Sequence, residues 1–220
     1  MKRFHSISPA HLTWIALGMF GVGCAGNEDE LESRTGALTS AQQDILGFEQ
    51  PGLWSSLAGP VTTLSTDHTQ GDKSLEVKAH GFYVLFSNPL TALGPVGRPI
   101  SFDLKLPTKQ PNKYWFGGAQ LYVSIPSQGV YNSYVGQVEL TGLPLDQWNT
   151  LSFTLSASLA SKLGAASYKD LRFGIVLNVP KDASGSYLVD NLKLSIGSGG
   201  TGGSSTGGKG MGGVGGGGGK

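Results

Sequence analysis

A single cysteine, Cys24, in a chain of 220 residues removes two sources of stability at once. It allows neither an intramolecular disulfide nor a four-cysteine zinc site, so stability must come from packing, with a hard metal ion as the remaining aid. Charge is equally scarce. Asp, Glu, Lys and Arg make up 14% of the chain and the net charge is +1. The basic residues are scattered, which leaves no footprint for nucleic acid, whose binding rests on neutralising phosphates. Histidine is nearly missing: beyond the first 24 residues only His68 and His80 remain, in no metal-ligand spacing. No G-x-S-x-G elbow and no phosphate-cradling glycine loop precedes a helix. These absences point away from nucleic-acid binding and from most catalysis.

Long hydrophobic runs are missing too. Residues 12–22, about 11 and mostly apolar, follow Met1-Lys2-Arg3 and precede Gly23-Cys24-Ala25-Gly26. A cationic start, a short apolar run and small residues at its end read as a secretory signal, too short to cross a bilayer as a stable helix. Cys24 resembles the lipidated cysteine of a bacterial lipoprotein signal, although Gly21 stands where that motif usually has leucine. An ordinary signal cut near Cys24-Ala25 is the alternative. With lipidation, the lack of aspartate after Cys24 favours an outer-membrane address. Residues 1–24 are then a leader and 25–44 a polar tether, too poor in large apolar side chains to fold alone. The mature chain is expected outside the cytoplasm, as an outer-membrane lipoprotein or a secreted protein, touching membrane only through a lipid anchor.

What the chain has in excess is glycine, 35 residues, but 14 of these lie in residues 198–220. That segment reads as a flexible tail, which leaves one domain over 45–197. There the pattern has period two. Leu75, Val77 and Ala79 alternate with Glu76, Lys78 and His80; Phe102, Leu104 and Leu106 with Ser101, Asp103 and Lys105; Leu121, Val123 and Ile125 with Gln120, Tyr122 and Ser124. Val138 and Leu140, then Leu151, Phe153 and Leu155, then Phe173, Ile175, Leu177 and Val179, and finally Leu188, Leu192 and Leu194 continue it. Eight or more half-buried strands follow, separated by Gly, Pro, Asn and Ser. Only residues 157–164 look helical. Without an internal repeat, the expected architecture is all-β: a two-sheet antiparallel β-sandwich of the jelly-roll kind.

Aromatic residues concentrate in one stretch: Tyr114, Trp115, Phe116, Tyr122, Tyr131 and Tyr134. Tyr122 falls on the polar phase of its strand, and nearby polar phases carry Gln120, Gln137 and Glu139. Flat rings mixed with amides and a carboxylate suit carbohydrate, whose C–H faces stack and whose hydroxyls hydrogen-bond. A ring hiding about 80 Å² of apolar surface contributes about 2 kcal/mol before entropy is subtracted. Two such platforms imply binding in the micromolar to millimolar range. The same rings can instead cap the core, and for Phe116 that is the expectation. Asn178, a polar amide in an apolar strand, is either a ligand contact or a satisfied structural amide.

Glu49 opens the domain and Asp190 closes it. If first and last strands lie side by side, both converge with carbonyls of the turn Gln70-Gly71-Asp72-Lys73, an oxygen set suited to Ca²⁺. The plain alternative, favoured by spacing alone, is a solvated Glu49 and an Asp190 bonded to nearby amides.

Phe48-Glu49, Gly71-Asp72-Lys73-Ser74-Leu75, Ser101-Phe102-Asp103-Leu104 and Tyr187-Leu188-Val189-Asp190-Asn191-Leu192 together resemble the galactose-binding-like jelly-roll carbohydrate-binding modules of secreted bacterial proteins. The resemblance spans residues 45–196. It implies a β-sandwich, a structural calcium held by Glu49, by carbonyls near Gly71 to Lys73 and by Asp190, and glycan binding on a concave sheet. The expectation is a non-catalytic, monomeric module that binds a polysaccharide through Trp115, Tyr122, Tyr131 and Tyr134, with Gln120, Gln137, Glu139 and Asn178. Two rivals stand beside it: a jelly-roll polysaccharide hydrolase or lyase drawing carboxylates from Glu139, Asp103 and Glu76, and a surface adhesion lipoprotein.

Overall fold

The computed structural model describes residues 37–57, 62–165 and 167–196; the leader with Cys24 and the glycine-rich tail lie outside them. Among the described residues, alternation of apolar and polar side chains produces ten strands. They are β1 (Trp54–Ser56), β2 (Thr63–Ser65), β3 (Ser74–Val77), β4 (Phe82–Ser87), β5 (Val96–Lys105), β6 (Gly118–Ile125), β7 (Val130–Glu139), β8 (Trp148–Thr154), β9 (Arg172–Asn178) and β10 (Tyr187–Ile196). They pair antiparallel into two five-stranded sheets, ordered β1-β4-β9-β6-β7 and β2-β3-β10-β5-β8. The chain is the all-β two-sheet sandwich that its period implied.

The core lies between the sheets. In β6, Ala119, Leu121, Val123 and Ile125 point inward while Gln120, Tyr122 and Ser124 point out. Phe173, Ile175 and Leu177 of β9 and Phe102 and Leu104 of β5 are fully buried, and Phe102 stacks on Phe153 at 5.5 Å. Each such side chain contributes about 1.5–3 kcal/mol by leaving water.

Three expectations need correction. The helical segment at residues 157–164 forms, as α2 (Ala157–Leu163), with Ser156 capping its first turn, but a second helix precedes it. This α1 (Ser40–Leu46) opens with a reciprocal capping box between Thr39 and Gln42 and buries Ile45 and Leu46. Seven residues show no helical period, and so short a helix is held by tertiary contacts. Here the Gln42 amide donates to the carbonyls of Thr91 and Ala92, each at 3.3 Å. Second, Leu188 does not share a face with Leu192 and Leu194. Asn191, at φ 51°, forms a bulge between Asp190 and Lys193. The inward phase therefore runs through Tyr187 and Val189 before the bulge and through Leu192 and Leu194 after it. Third, the first and last strands lie in different sheets. The two ends of the domain meet instead at the turn formed by residues 69–73.

Candidate functional site

A sandwich has two outer faces, and here they differ. On the second sheet, Asp103 and Asp190 sit opposite each other on β5 and β10, both outward yet buried. The loop of residues 66–73 covers them. Asp190 accepts from the amides of Thr69 and Gln70 at 2.5 and 3.0 Å and from that of Asn191 at 2.7 Å. Asp103 accepts from Thr150 Oγ1 at 2.6 Å and from Asn191 Nδ2 at 3.0 Å. The Thr69 hydroxyl lies between the two carboxylates, 2.8 Å from Asp103 and 2.9 Å from Asp190.

Beside this loop is a cleft of about 310 Å³ lined by Asp67, Glu76, Lys105, Asp146 and Ser186, with no aromatic ring. Its charges answer one another. Lys105 Nζ reaches Asp67 at 2.7 Å and Asp146 at 2.9 Å. The Lys105 hydrogen bond, aided by Trp148 Nε1, holds Asp67 below the usual carboxylate range, and the two aspartates raise Lys105 in return. The Ser186 hydroxyl, with that of Thr63, lowers Glu76.

The outer face of the first sheet is open, and register builds it row by row. One row runs Phe82, Asn178, Gly118, Glu139 across β4, β9, β6 and β7; the next runs Val84, Val176, Gln120, Gln137; the third runs Phe86, Gly174, Tyr122, Tyr134. Arg172 and Ser124 pair at the far end. Four strands place each row's ends about 14 Å apart. Apart from Asn178, the β4–β9 half of the three rows is apolar, and the β6–β7 half is polar. Gly174 divides the third row usefully: a side chain there would come within 3.0 Å of the Phe86 ring and 3.3 Å of Tyr122, so its absence lets both lie low on the sheet. Tyr122 meets Tyr134 edge to face at 5.5 Å. Phe82 is 64% exposed and Tyr134 55%.

The polar half is linked. Tyr122 Oη donates to Gln120 Oε1 at 2.9 Å, Gln120 Nε2 to Gln137 Oε1 at 2.6 Å, and Gln137 Nε2 to Glu139 Oε1. Gly118 leaves room for this chain, since a side chain there would come within 3.2 Å of the Gln137 amide.

Six of the eight expected sugar-contacting residues thus share one face: Gln120, Tyr122, Tyr134, Gln137 and Glu139 line β6 and β7, and Asn178 stands beside Gly118. Tyr131 is 71% exposed near the other end of β7. Trp115 is 39% exposed in the loop before β6, its amide bonded to the Asn112 carbonyl at 3.3 Å. Phe116 packs against the core. Sequence reading missed Phe82, Val84 and Phe86. They belong to the run Phe82-Tyr83-Val84-Leu85-Phe86, which has no polar phase from which to assign an outer side; the short turn residues around it were the signal left. Asp103 and Glu76 lie in the second sheet, away from Glu139, so the carboxylates weighed for hydrolysis do not assemble.

Glu49 and Asp190 both grip the turn 69–73, but separately. Glu49 Oε2 accepts from the amides of Asp72 and Lys73 at 3.0 and 3.2 Å, so Lys73 presents N–H to Glu49. Phe48, at φ 59° and stacked on Trp54 at 4.7 Å, turns its ring inward and sets the carboxylate against Gly71. Glu49 Oε1 is buried without a hydrogen-bond partner. It borders the space beside Gly47 together with Gln70 Oε1 and the Gln43 carbonyl. No cluster of three or more His, Cys, Asp or Glu side chains suited to a metal occurs among the described residues, so a cation here would draw on amide and carbonyl oxygens as well. Nor is any helix among them long and apolar enough to cross a membrane.

No family model matches the chain, and no curated protein matches its sequence. Solved structures are similar. A promiscuous carbohydrate-binding module of the β-sandwich superfamily aligns with TM-score 0.47 at 16% identity, over 67% of this chain and 60% of its own. An arabinose-bound α-L-arabinofuranosidase aligns with TM-score 0.44 at 10% identity, over 70% of this chain and 26% of its own. A carbohydrate-binding module specific for non-crystalline cellulose aligns with TM-score 0.48 at 14% identity, over 68% and 91%. The chain therefore spans less than two thirds of the first two. At such identities the likeness is one of fold.

Proposed function

We propose that the open face of the first sheet binds a polysaccharide without catalysis. The observation that carries this reading is the union, on one uncovered face, of an aromatic row (Phe86, Tyr122, Tyr134) with the hydrogen-bonded amides Gln120 and Gln137. Rings stack sugar C–H faces and amides meet hydroxyls, while an open surface suits an extended chain. Within the three rows Glu139 is the single carboxylate, whereas glycoside hydrolysis by the usual route needs two flanking one bond. The expected result in affinity electrophoresis is retardation by at least one polysaccharide. Tyr122→Ala removes one platform of about 2 kcal/mol, a loss of roughly thirtyfold in affinity. Retardation by none of a broad panel, or reducing-sugar release on incubation, would overturn the reading. The module works outside the cytoplasm in this view, tethered by a lipid on Cys24 or secreted.

A structural Ca²⁺ beside Glu49 and Gln70 belongs to the same reading. The orphaned Glu49 Oε1 and two neighbouring oxygens fit a hard cation, which takes oxygen ligands from side chains and carbonyls alike. Asp190, whose oxygens already accept N–H groups, steadies the turn from its other side. At a hundredfold excess over the dissociation constant, Ca²⁺ would stabilise the fold by about 2.7 kcal/mol, roughly 5–10 °C in melting temperature. Glu49→Gln should abolish that rise. A melting temperature indifferent to both Ca²⁺ and EDTA would retire the cation.

A further inference from the structure

The hydrogen-bonded chain on the open face has a direction, and its acid end sets it. An ionised carboxylate only accepts, so Glu139 obliges Gln137 to turn its NH₂ group toward it. That leaves Gln137 Oε1 facing Gln120, which must donate, and Gln120 Oε1 facing Tyr122, whose hydroxyl must donate in turn. Two carboxamides, each able to flip, and one rotatable hydroxyl are fixed by a single charge two rows from the aromatic row.

Resting on the glycan reading above, we infer that Glu139 is a positioning residue that fixes the donors and acceptors of this face and restricts it to uncharged polysaccharides. With the relay so oriented, each glutamine keeps one N–H and spare oxygen lone pairs for a ligand, Tyr122 Oη keeps its lone pairs, and Glu139 keeps its second oxygen. Sugar hydroxyls both donate and accept and can meet all of these. A uronate or sulfate only accepts, and beside Glu139 it meets a like charge instead of a donor. Of the cations around this face, Lys113 in the loop before β6 holds its Nζ over the Tyr114 ring, 4.9 Å from its centre. Arg172 pairs with Ser124 at the opposite end, about 20 Å along the strand from Gly118 and Glu139. Lys181 lies against Gly81 at the β4 side, three strands from β7.

The test has one arm that needs no ligand. In the ¹H–¹⁵N spectrum of the intact protein, Glu139→Gln should move the side-chain amide signals of Gln137 and also of Gln120, which does not touch residue 139. The Asn149 amide, bonded to the Leu104 and Pro144 carbonyls on the other sheet, serves as the unmoved control. An unchanged Gln120 signal overturns the relay. The second arm compares affinity for neutral probes (hydroxyethyl cellulose, glucomannan, galactan and xylan) with polygalacturonate. Wild type should retain neutral chains and not polygalacturonate. Glu139→Gln should weaken the neutral probe about tenfold and raise the polygalacturonate-to-neutral ratio by at least as much. Wild-type binding of polygalacturonate as tight as the best neutral probe overturns the charge restriction. Failure of all five probes removes the glycan reading itself and the ligand half of the inference with it, while the spectrum still decides the relay.

Discussion

Asp190→Ala is expected to destabilise the domain by about 4 kcal/mol, which corresponds to a fall of roughly 10 °C or more in melting temperature. Asp190 is fully buried and gathers the amides of Thr69, Gln70 and Asn191, three backbone donors that an alanine side chain cannot satisfy. Alanine would strand those donors away from water, and each orphaned donor costs about 1–3 kcal/mol. The loss would spread further. Freed from Asp190, the loop 66–73 loses its anchor on β10, and the turn that meets Glu49 loosens with it. Asp146→Ala provides the contrast. Asp146 pairs with a cation instead of amides, at 2.9 Å from Lys105, but its side chain is 59% exposed and Lys105 retains Asp67. Removing so exposed a partner should cost no more than about 0.5 kcal/mol. Denaturant titration of the two variants decides the matter: equal losses, or a loss below about 1 kcal/mol for Asp190→Ala, would mean that the loop is not held through this carboxylate.

That contrast also explains what the sequence could and could not reveal. Alternation located β5 and β6 because their outward phases carry polar side chains, Ser101, Asp103 and Lys105 in one and Gln120, Tyr122 and Ser124 in the other, while β9 was found as a nearly continuous apolar run buried from Phe173 to Leu177. It was silent on β4, where Phe82, Val84 and Phe86 point out yet are as apolar as Tyr83 and Leu85 pointing in. An outer face made of hydrophobic side chains erases the signal by which strands are recognised. The polar half of the same face was legible for the opposite reason, since Gln120, Tyr122, Gln137 and Glu139 keep the phase clean. Asn191 marks another limit. A one-residue bulge changes which leucines of β10 face the core, and nothing in its composition announces a left-handed residue there, although Asn is among the few types that tolerate it. Likewise, the pairing of Glu49 with the amides of Asp72 and Lys73 depends on Gly71 lying flat under the carboxylate. The acidic residue and the turn were visible; which backbone groups the turn would offer was not.

Gly117→Ala should be nearly as damaging, and its damage should reach the proposed binding face. Gly117 adopts φ 106°, and a Cβ there would fall 2.2 Å from the Asn178 carbonyl oxygen and 2.9 Å from the Val179 Cα. Those are backbone atoms of β9 and its exit, so no side chain can swing aside. Either β6 shifts away from β9 or the Gly117 turn unwinds, and both disturb the pair Gly118–Asn178 that opens the first row. The expected cost is about 3 kcal/mol or more from strain and steric conflict together. Gly142 separates the two causes. It too has a positive φ, 88°, but a Cβ there would meet nothing within 4 Å, so Gly142→Ala should show the conformational strain alone, about 1 kcal/mol. The functional consequence follows from where Gly117 sits. It joins the loop carrying Trp115 to the strand carrying Gln120 and Tyr122, and its carbonyl accepts from Leu140, just past Glu139. A variant that remains folded should therefore show displaced Gln137 and Gln120 side-chain amide signals and weakened retention on whichever neutral polysaccharide the wild type prefers, while Gly142→Ala keeps both. If Gly117→Ala matched Gly142→Ala in stability, the close approach of β6 to the Asn178 carbonyl would not be what holds this end of the face in register.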